Sequence, residues 1–166
     1  MESAFLLIKT NLDSRKVMNS ILSQTGVVWA NNTFGPNQII VYIEDYENKL
    51  IETIEELRSR RYITELDARI VKKIPEDKGL KFNLPNKKER AVLLINVNYK
   101  EEKERIITKK IREINGACYA RAMWGPTDVI AIVESNDKES MRNLICDKIK
   151  TMKGINQNTT MYCYPS

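Results

Sequence analysis

Apolar residues fall along this chain in short runs of two kinds. Residues 4–10, 38–44, 91–97 and 128–134 are near-continuous β-prone stretches, such as Ile39-Ile40-Val41-Tyr42-Ile43 and Val129-Ile130-Ala131-Ile132-Val133, and predict strands. Residues 12–24 instead space Val17, Met18, Ile21 and Leu22 as one face of a helix, with Asn11 or Asp13 as its cap. Ile106, Ile107, Ile111 and Ile114 draw the same stripe on a charged segment further on. Two more helical stripes follow, Tyr46, Leu50, Ile51, Ile54 and Leu57 behind Asp45, then Met141, Leu144, Ile145, Ile149 and Met152 behind Asn136 or Asp137. Residues 27–34 and 117–124 read as second strands, and residues 62–73 and 155–164 as fourth strands.

This list of elements is one unit used twice. Phe34-Gly35-Pro36-Asn37-Gln38-Ile39-Ile40-Val41-Tyr42-Ile43-Glu44 returns 90 residues later as Trp124-Gly125-Pro126-Thr127-Asp128-Val129-Ile130-Ala131-Ile132-Val133-Glu134. Gly26 and Gly116 keep the same offset and stand where a glycine ends a helix, while Ala4-Phe5-Leu6-Leu7-Ile8 maps onto Ala91-Val92-Leu93-Leu94-Ile95 at 87. The expected organisation is a first domain over 1–74, a linker over 75–90 holding Pro75, Gly79 and Pro85 among charges, and a second domain over 91–166. Leu80, Phe82 and Leu84 alternate inside the linker, so part of it is expected to lie extended against the body.

Two helices per four strands cover one face of a sheet. The strands do not alternate apolar and polar, so the second face is apolar as well, and bare it would form a patch larger than monomers tolerate. The expected solution is an α+β chain whose two β-α-β-β-α-β domains pack sheet to sheet, as an intramolecular version of a dimeric α/β barrel. Pairing with a copy from another chain is the alternative.

From Ala91-Val92-Leu93-Leu94-Ile95-Asn96-Val97, through Gly125-Pro126-Thr127-Asp128-Val129-Ile130-Ala131-Ile132-Val133-Glu134, to Lys153-Gly154-Ile155, the second copy resembles the effector-binding (RAM) domain of the Lrp/AsnC, or feast/famine, regulators. Residues 4–74 resemble it less closely. The resemblance implies tandem ferredoxin-like domains, small-molecule effectors that are chiefly amino acids, homo-oligomeric assembly and a part in transcription regulation. It places the ligand site at Trp124, Gly125, Pro126, Thr127 and Asp128, with Thr159 and Thr160 as polar residues near the ligand. Asp128 would meet a ligand ammonium and the Gly125–Thr127 backbone its carboxylate. The plain alternatives are a hairpin turn that Asp128 stabilises and ordinary strand threonines. The first copy has neutral Asn37-Gln38 at these positions. Only three residues precede the first strand, so no helix-turn-helix is expected ahead of it. The expected partners are therefore a small-molecule effector and a regulator protein, with no sequence-specific DNA contact by the chain itself.

Composition narrows the chemistry. The chain has no histidine, which removes the commonest general base and haem ligand and most zinc sites; no cofactor, no metal and no enzymatic activity are expected. The net charge of +5 is dispersed, and residues 1–74 are neutral overall. Arg58-Ser59-Arg60-Arg61 and Lys87-Lys88-Glu89-Arg90 could touch phosphates, but such runs are more often helix-end charges and solvated linker. RNA recognition needs aromatic stacking residues on the central strands, and third strands reading Ile-Ile-Val-Tyr-Ile and Val-Ile-Ala-Ile-Val fit it poorly. Three widely spaced cysteines, Cys118, Cys146 and Cys163, read as small fillers in a reducing compartment, and no apolar run is long enough to cross a bilayer, so a cytoplasmic location is expected. A ligand-free interaction module is the alternative function.

Overall fold

The aliphatic runs pair as two four-stranded antiparallel sheets. The computed structural model describes residues 2–34 and 38–164; the tip Gly35-Pro36-Asn37, expected to turn the first hairpin, lies outside the described residues. The chain forms two units, divided between Val71 and Lys72.

The first unit runs β1 (Ser3–Thr10), α1 (Ser14–Leu22), β2 (Val27–Asn32), β3 (Gln38–Glu44), α2 (Leu50–Arg58) and β4 (Ile63–Ile70), with strand order β2-β3-β1-β4. The second runs β5 (Glu89–Val97), α3 (Glu104–Arg112), β6 (Ala117–Ala122), β7 (Val129–Ser135), α4 (Lys138–Asn143) and β8 (Ile155–Tyr162), ordered β6-β7-β5-β8. This is the ferredoxin-like order twice. Register agrees too: Ala4 faces Ile43 as Ala91 faces Val133, and bulges at Lys9/Thr10 and Val27/Trp29 recur at Asn96/Val97 and Ala117/Tyr119.

Each core lies between one sheet face and its helices. Ala4, Leu6 and Ile8 on β1 meet Val17 and Ile21 of α1 and Leu50, Ile54 and Leu57 of α2. In the second unit Leu93 and Ile95 meet Ile107 and Ile111 of α3 and Leu144, Ile145 and Ile149. Strand side chains alternate faces, so Phe5 and Tyr42, whose rings lie 4.9 Å apart, occupy the face away from the helices in the first unit. Val92, Leu94, Ile130 and Ile132 do so in the second.

Several details differ from the expectations. Tyr46 and Ile51 are 53% and 62% exposed, and Thr53 takes a place on the buried stripe, donating its hydroxyl to Lys49 O. Residue 45 does not occupy the cap position, which is Lys49, yet its carboxylate accepts the Leu50 N–H from upstream. Asp13 and Asp137 do cap α1 and α4. Beyond Asn143 the last helix widens into a π-turn, Leu144–Ile149, in which Lys150 N bonds Ile145 O.

The segment expected as a linker is fastened to the second unit. Pro75–Asp77 forms a 3₁₀ turn, and buried Asp77 lies 2.9 Å from Arg112 Nη2 and 3.2 Å from Arg121 Nε. Phe82 packs edge-on against Tyr119, and β5 begins already at Glu89. Arg90, expected in a solvated run, is buried, with Nη2 2.7 Å from the Glu134 carboxylate; the Lys87 N–H also donates to Glu134. Cys146 is exposed, Cys118 half-buried and Cys163 buried.

Candidate ligand-binding site

The β6–β7 hairpin carries Trp124, Gly125, Pro126, Thr127 and Asp128 as one continuous turn. Met123 N–H donates to Asp128 O and Asp128 N–H to Ile95 O, so backbone bonds fix the turn at both edges. Gly125 takes φ +126, a left-handed value that suits glycine. Trp124 is 62% exposed.

The Asp128 carboxylate is engaged on both sides. Oδ2 accepts the Val97 N–H at 2.8 Å, binding the hairpin to the end of β5, and Oδ1 accepts from the Tyr99 hydroxyl at 3.0 Å. The same hydroxyl lies 2.8 Å from Glu104 Oε2, at the start of α3. Glu104 Oε1 receives the Lys72 ammonium at 2.6 Å, and that ammonium stands 4.1 Å over the Trp124 ring. Lys72 is held there by its backbone: its N–H bonds Ala122 O and its carbonyl accepts Arg121 Nη2. Burial, reinforced by the two flanking carboxylates, pushes the Tyr99 hydroxyl well above its usual range. The phenol therefore keeps its proton across ordinary pH.

Lys72, Tyr99 and Glu104 escape a reading of the sequence, because residues from three separate segments meet only once the unit has folded. A tyrosine just beyond the end of a strand, followed by a helix opening with glutamate, is the one local hint. Thr159 and Thr160 stand apart from this cluster. Thr159 pairs with Leu94 and Thr160 with Leu93, so they point to opposite faces of β8, roughly 10 Å along the sheet from the Val97 end. Thr159 is exposed, while Thr160 Oγ1 is buried without a hydrogen-bond partner.

Concave ground lies elsewhere in each unit. A polar cavity of ≈ 410 Å³ sits among Asn115, Asn136, Asn143 and Lys148, and one of ≈ 470 Å³ among Gln24, Thr25, Tyr46 and Lys49. These two lie at corresponding places and contain no residue of the hairpin cluster. The cluster differs from both cavities in that its groups converge in charge and hydrogen bonding. Of the basic run near residue 60, Arg60 is committed to Ser20, Gln24 and Tyr62. No group of three or more Cys, Asp or Glu among the described residues gathers closely enough to hold a metal ion. No helix among them is long and apolar enough to cross a membrane.

Fold and cluster together define a tandem ferredoxin-like α+β chain with a charged, aromatic-edged side-chain cluster among the described residues of its second unit. No family model and no curated protein matches the sequence. Among solved structures the chain is similar to a putative chlorite dismutase at 11% identity, with a TM-score of 0.64 over 100% of this chain and 95% of that one. It is similar to the siroheme decarboxylase NirDL at 9% identity, with a TM-score of 0.61 over 97% of this chain and 71% of that one. A transcriptional regulator from Neisseria meningitidis, solved as a complex with L-Met, overlaps at 14% identity over 68% of this chain and 64% of its own, with a TM-score of 0.42. The first two likenesses show a shared fold and nothing more, and the third is too loose to weigh.

Proposed function

We propose that the second unit is a small-molecule binding module that takes an amino acid at the Trp124–Asp128 hairpin. In this reading the chain works by binding alone, passing its occupancy to a protein partner such as a transcription regulator, and touches no operator itself. One observation carries the ligand reading. Glu104 Oε2 and Asp128 Oδ1 both lie within hydrogen-bond distance of one phenol hydroxyl, which has a single proton to give. Whichever carboxylate receives it, the phenol-facing oxygen of the other meets hydroxyl lone pairs and gets no proton from the phenol, while Val97 N–H and Lys72 engage only the outer oxygens. A ligand ammonium supplies the missing donor and offsets the negative charge of the pair. The resemblance of residues 91–164 to effector-binding domains supports the same reading. Sheet-to-sheet packing of the two units is part of this proposal and rests on the apolar second faces.

The test is a thermal-shift screen of the twenty amino acids, followed by tryptophan fluorescence in a Trp29→Phe background that isolates Trp124. A ligand at a hundred times its dissociation constant stabilises by about 2.7 kcal/mol. Asp128→Asn should weaken binding by about 1.5–3 kcal/mol, the scale of a hydrogen bond to a charged group. Absence of any shift at millimolar amino acid would sink the proposal. A second reading, a ligand-free interaction module, is favoured by the Val97 N–H bond, which gives Asp128 a fastening role of its own.

A further inference from the structure

The ammonium side of the site leaves one charged group without a role. Lys72 brings a cation to a cluster whose other charged members are Glu104 and Asp128. Both of its backbone groups are tied, and its head is fixed between a carboxylate and an indole face. A surface lysine meant only for solubility needs none of this fixing. Its side chain is still 20% exposed, and an ammonium has three donors, of which Glu104 accounts for one. Glu104 turns one oxygen to Lys72 and the other to Tyr99, so the place for a ligand cation and the place for a ligand anion lie on adjacent sides of one carboxylate.

We infer, resting on the ammonium reading of the hairpin, that Lys72 is the residue that receives the ligand's carboxylate. The ligand class is then an α-amino acid with both charged groups free and an apolar or planar side chain lying on the exposed Trp124 ring. A plain amine is disfavoured at this site: it would set a second cation beside Lys72 with nothing to compensate the repulsion, whereas a carboxylate on the same ligand turns that repulsion into attraction. Selectivity for amino acids over their decarboxylated amines follows from Lys72, and affinity for the ammonium from Asp128 and Glu104. The two roles are separable by mutation.

The experiment is calorimetry on the full chain, first with the twenty L-amino acids and then with the amine corresponding to the tightest binder. Lys72→Met keeps an unbranched apolar side chain of nearly the same reach while removing the charge that stands over Trp124; Lys72→Arg keeps the charge. The wild type should bind the amino acid at least tenfold more tightly than the amine. Lys72→Met should lose tenfold or more for the amino acid and bind the amine at least as tightly as wild type does, erasing the selectivity, while Lys72→Arg stays within a few-fold of wild type. Asp128→Asn should weaken both ligands. Circular dichroism of each variant reports whether it is folded, and a misfolded Lys72→Met leaves the wild-type preference and the Lys72→Arg variant to decide. If Lys72→Met binds the amino acid as wild type does while Asp128→Asn fails, the Lys72 role is wrong and the hairpin reading stands. If the wild type binds no amino acid, both fall.

Discussion

Replacing Asp77 tests whether the segment after Val71 belongs mechanically to the second unit. The Asp77 side chain is 2% exposed, with Oδ1 2.9 Å from Arg112 Nη2 and Oδ2 3.2 Å from Arg121 Nε. Both contacts are close ion pairs, and the second is not aligned as a hydrogen bond, since Oδ2 and Nε both lack a hydrogen-bond partner. Each guanidinium also has a backbone acceptor, Ala120 O for Arg112 and Lys72 O for Arg121. Asp77→Ala would leave two cations half-buried side by side without their shared anion. Removing one partner of a buried pair costs about 3–5 kcal/mol, and the partial exposure of the arginines argues for the lower end, about 3 kcal/mol. At roughly 2–4 °C per kcal/mol for a chain of this size, the thermal midpoint should fall by about 6–12 °C. Asp77→Asn keeps the shape and one acceptor and should lose about half as much. Urea and thermal unfolding followed by circular dichroism measure both. Trypsin should also cut the alanine variant sooner at Lys78 and Lys81, because the strap would open before the unit unfolds. A change in stability within 0.5 kcal/mol, the ordinary range for surface substitutions, would refute the clamp.

Glycine replacements should separate strain from crowding. Gly79→Ala at φ +91 has nothing within 4 Å and should cost about 1 kcal/mol of backbone strain. Gly154→Ala at φ +94 would set its Cβ 2.5 Å from Glu102 Cβ, and should cost about 3 kcal/mol or more by urea unfolding. The thiols should react in order of access: burial pushes Cys118 up to about 11 and Cys163 up to about 12, so a thiol reagent at pH 8 should label exposed Cys146 alone. The raised Cys163 value means that its share of stability is whole below its ordinary value of 9.0 and drains away as pH rises towards 12; a Cys163→Ala variant should flatten that decline in alkaline unfolding curves. Duplex DNA should bind only weakly, without sequence preference, and not above about 200 mM salt. Operator-specific retention in a gel shift at that salt would contradict the dispersed charge.

The elements were legible because local physics decides them: unbroken aliphatic runs make strands, and four-residue spacings with a left-handed glycine behind them make helices. Gly26 and Gly116, at φ +93 and +99, stand where the spacing placed them. What stayed hidden depends on residues far apart in the chain. Ile51 fits the helical stripe in sequence, yet the burial of Thr53, whose hydroxyl closes on Lys49 O, shows that the packed face is turned away from it. Arg90 and Glu134 look like a linker charge and a stray acid until the pairing of β5 with β7 sets them opposite each other. Of the candidate site, the hairpin could be read and its charged neighbours could not. Lys72, Tyr99 and Glu104 come from segments that only the folded sheet brings to Asp128.

Divergence between the two units falls on polar side chains, and it falls mostly on the second. On the helix-facing side of the last strand, Leu66, Ala68 and Ile70 pack in the first unit, whereas the register sets Asn158, Thr160 and Tyr162 at the matching positions of the second. Asn158 Oδ1 and Thr160 Oγ1 are buried there without partners, as Asn32 Oδ1 is in the first unit. Each such atom costs about 1–3 kcal/mol. The second unit also replaces Gln38 with Asp128, and Ser3 opposite Glu44 with Arg90 opposite Glu134. A unit needed only for packing gains nothing from these exchanges, and the first unit shows that the same backbone pairing is made with apolar side chains on that strand. Local costs of this kind survive where a site needs them. Under the proposed function these exchanges belong to the second unit's binding role, while the first unit keeps apolar side chains on the matching strand.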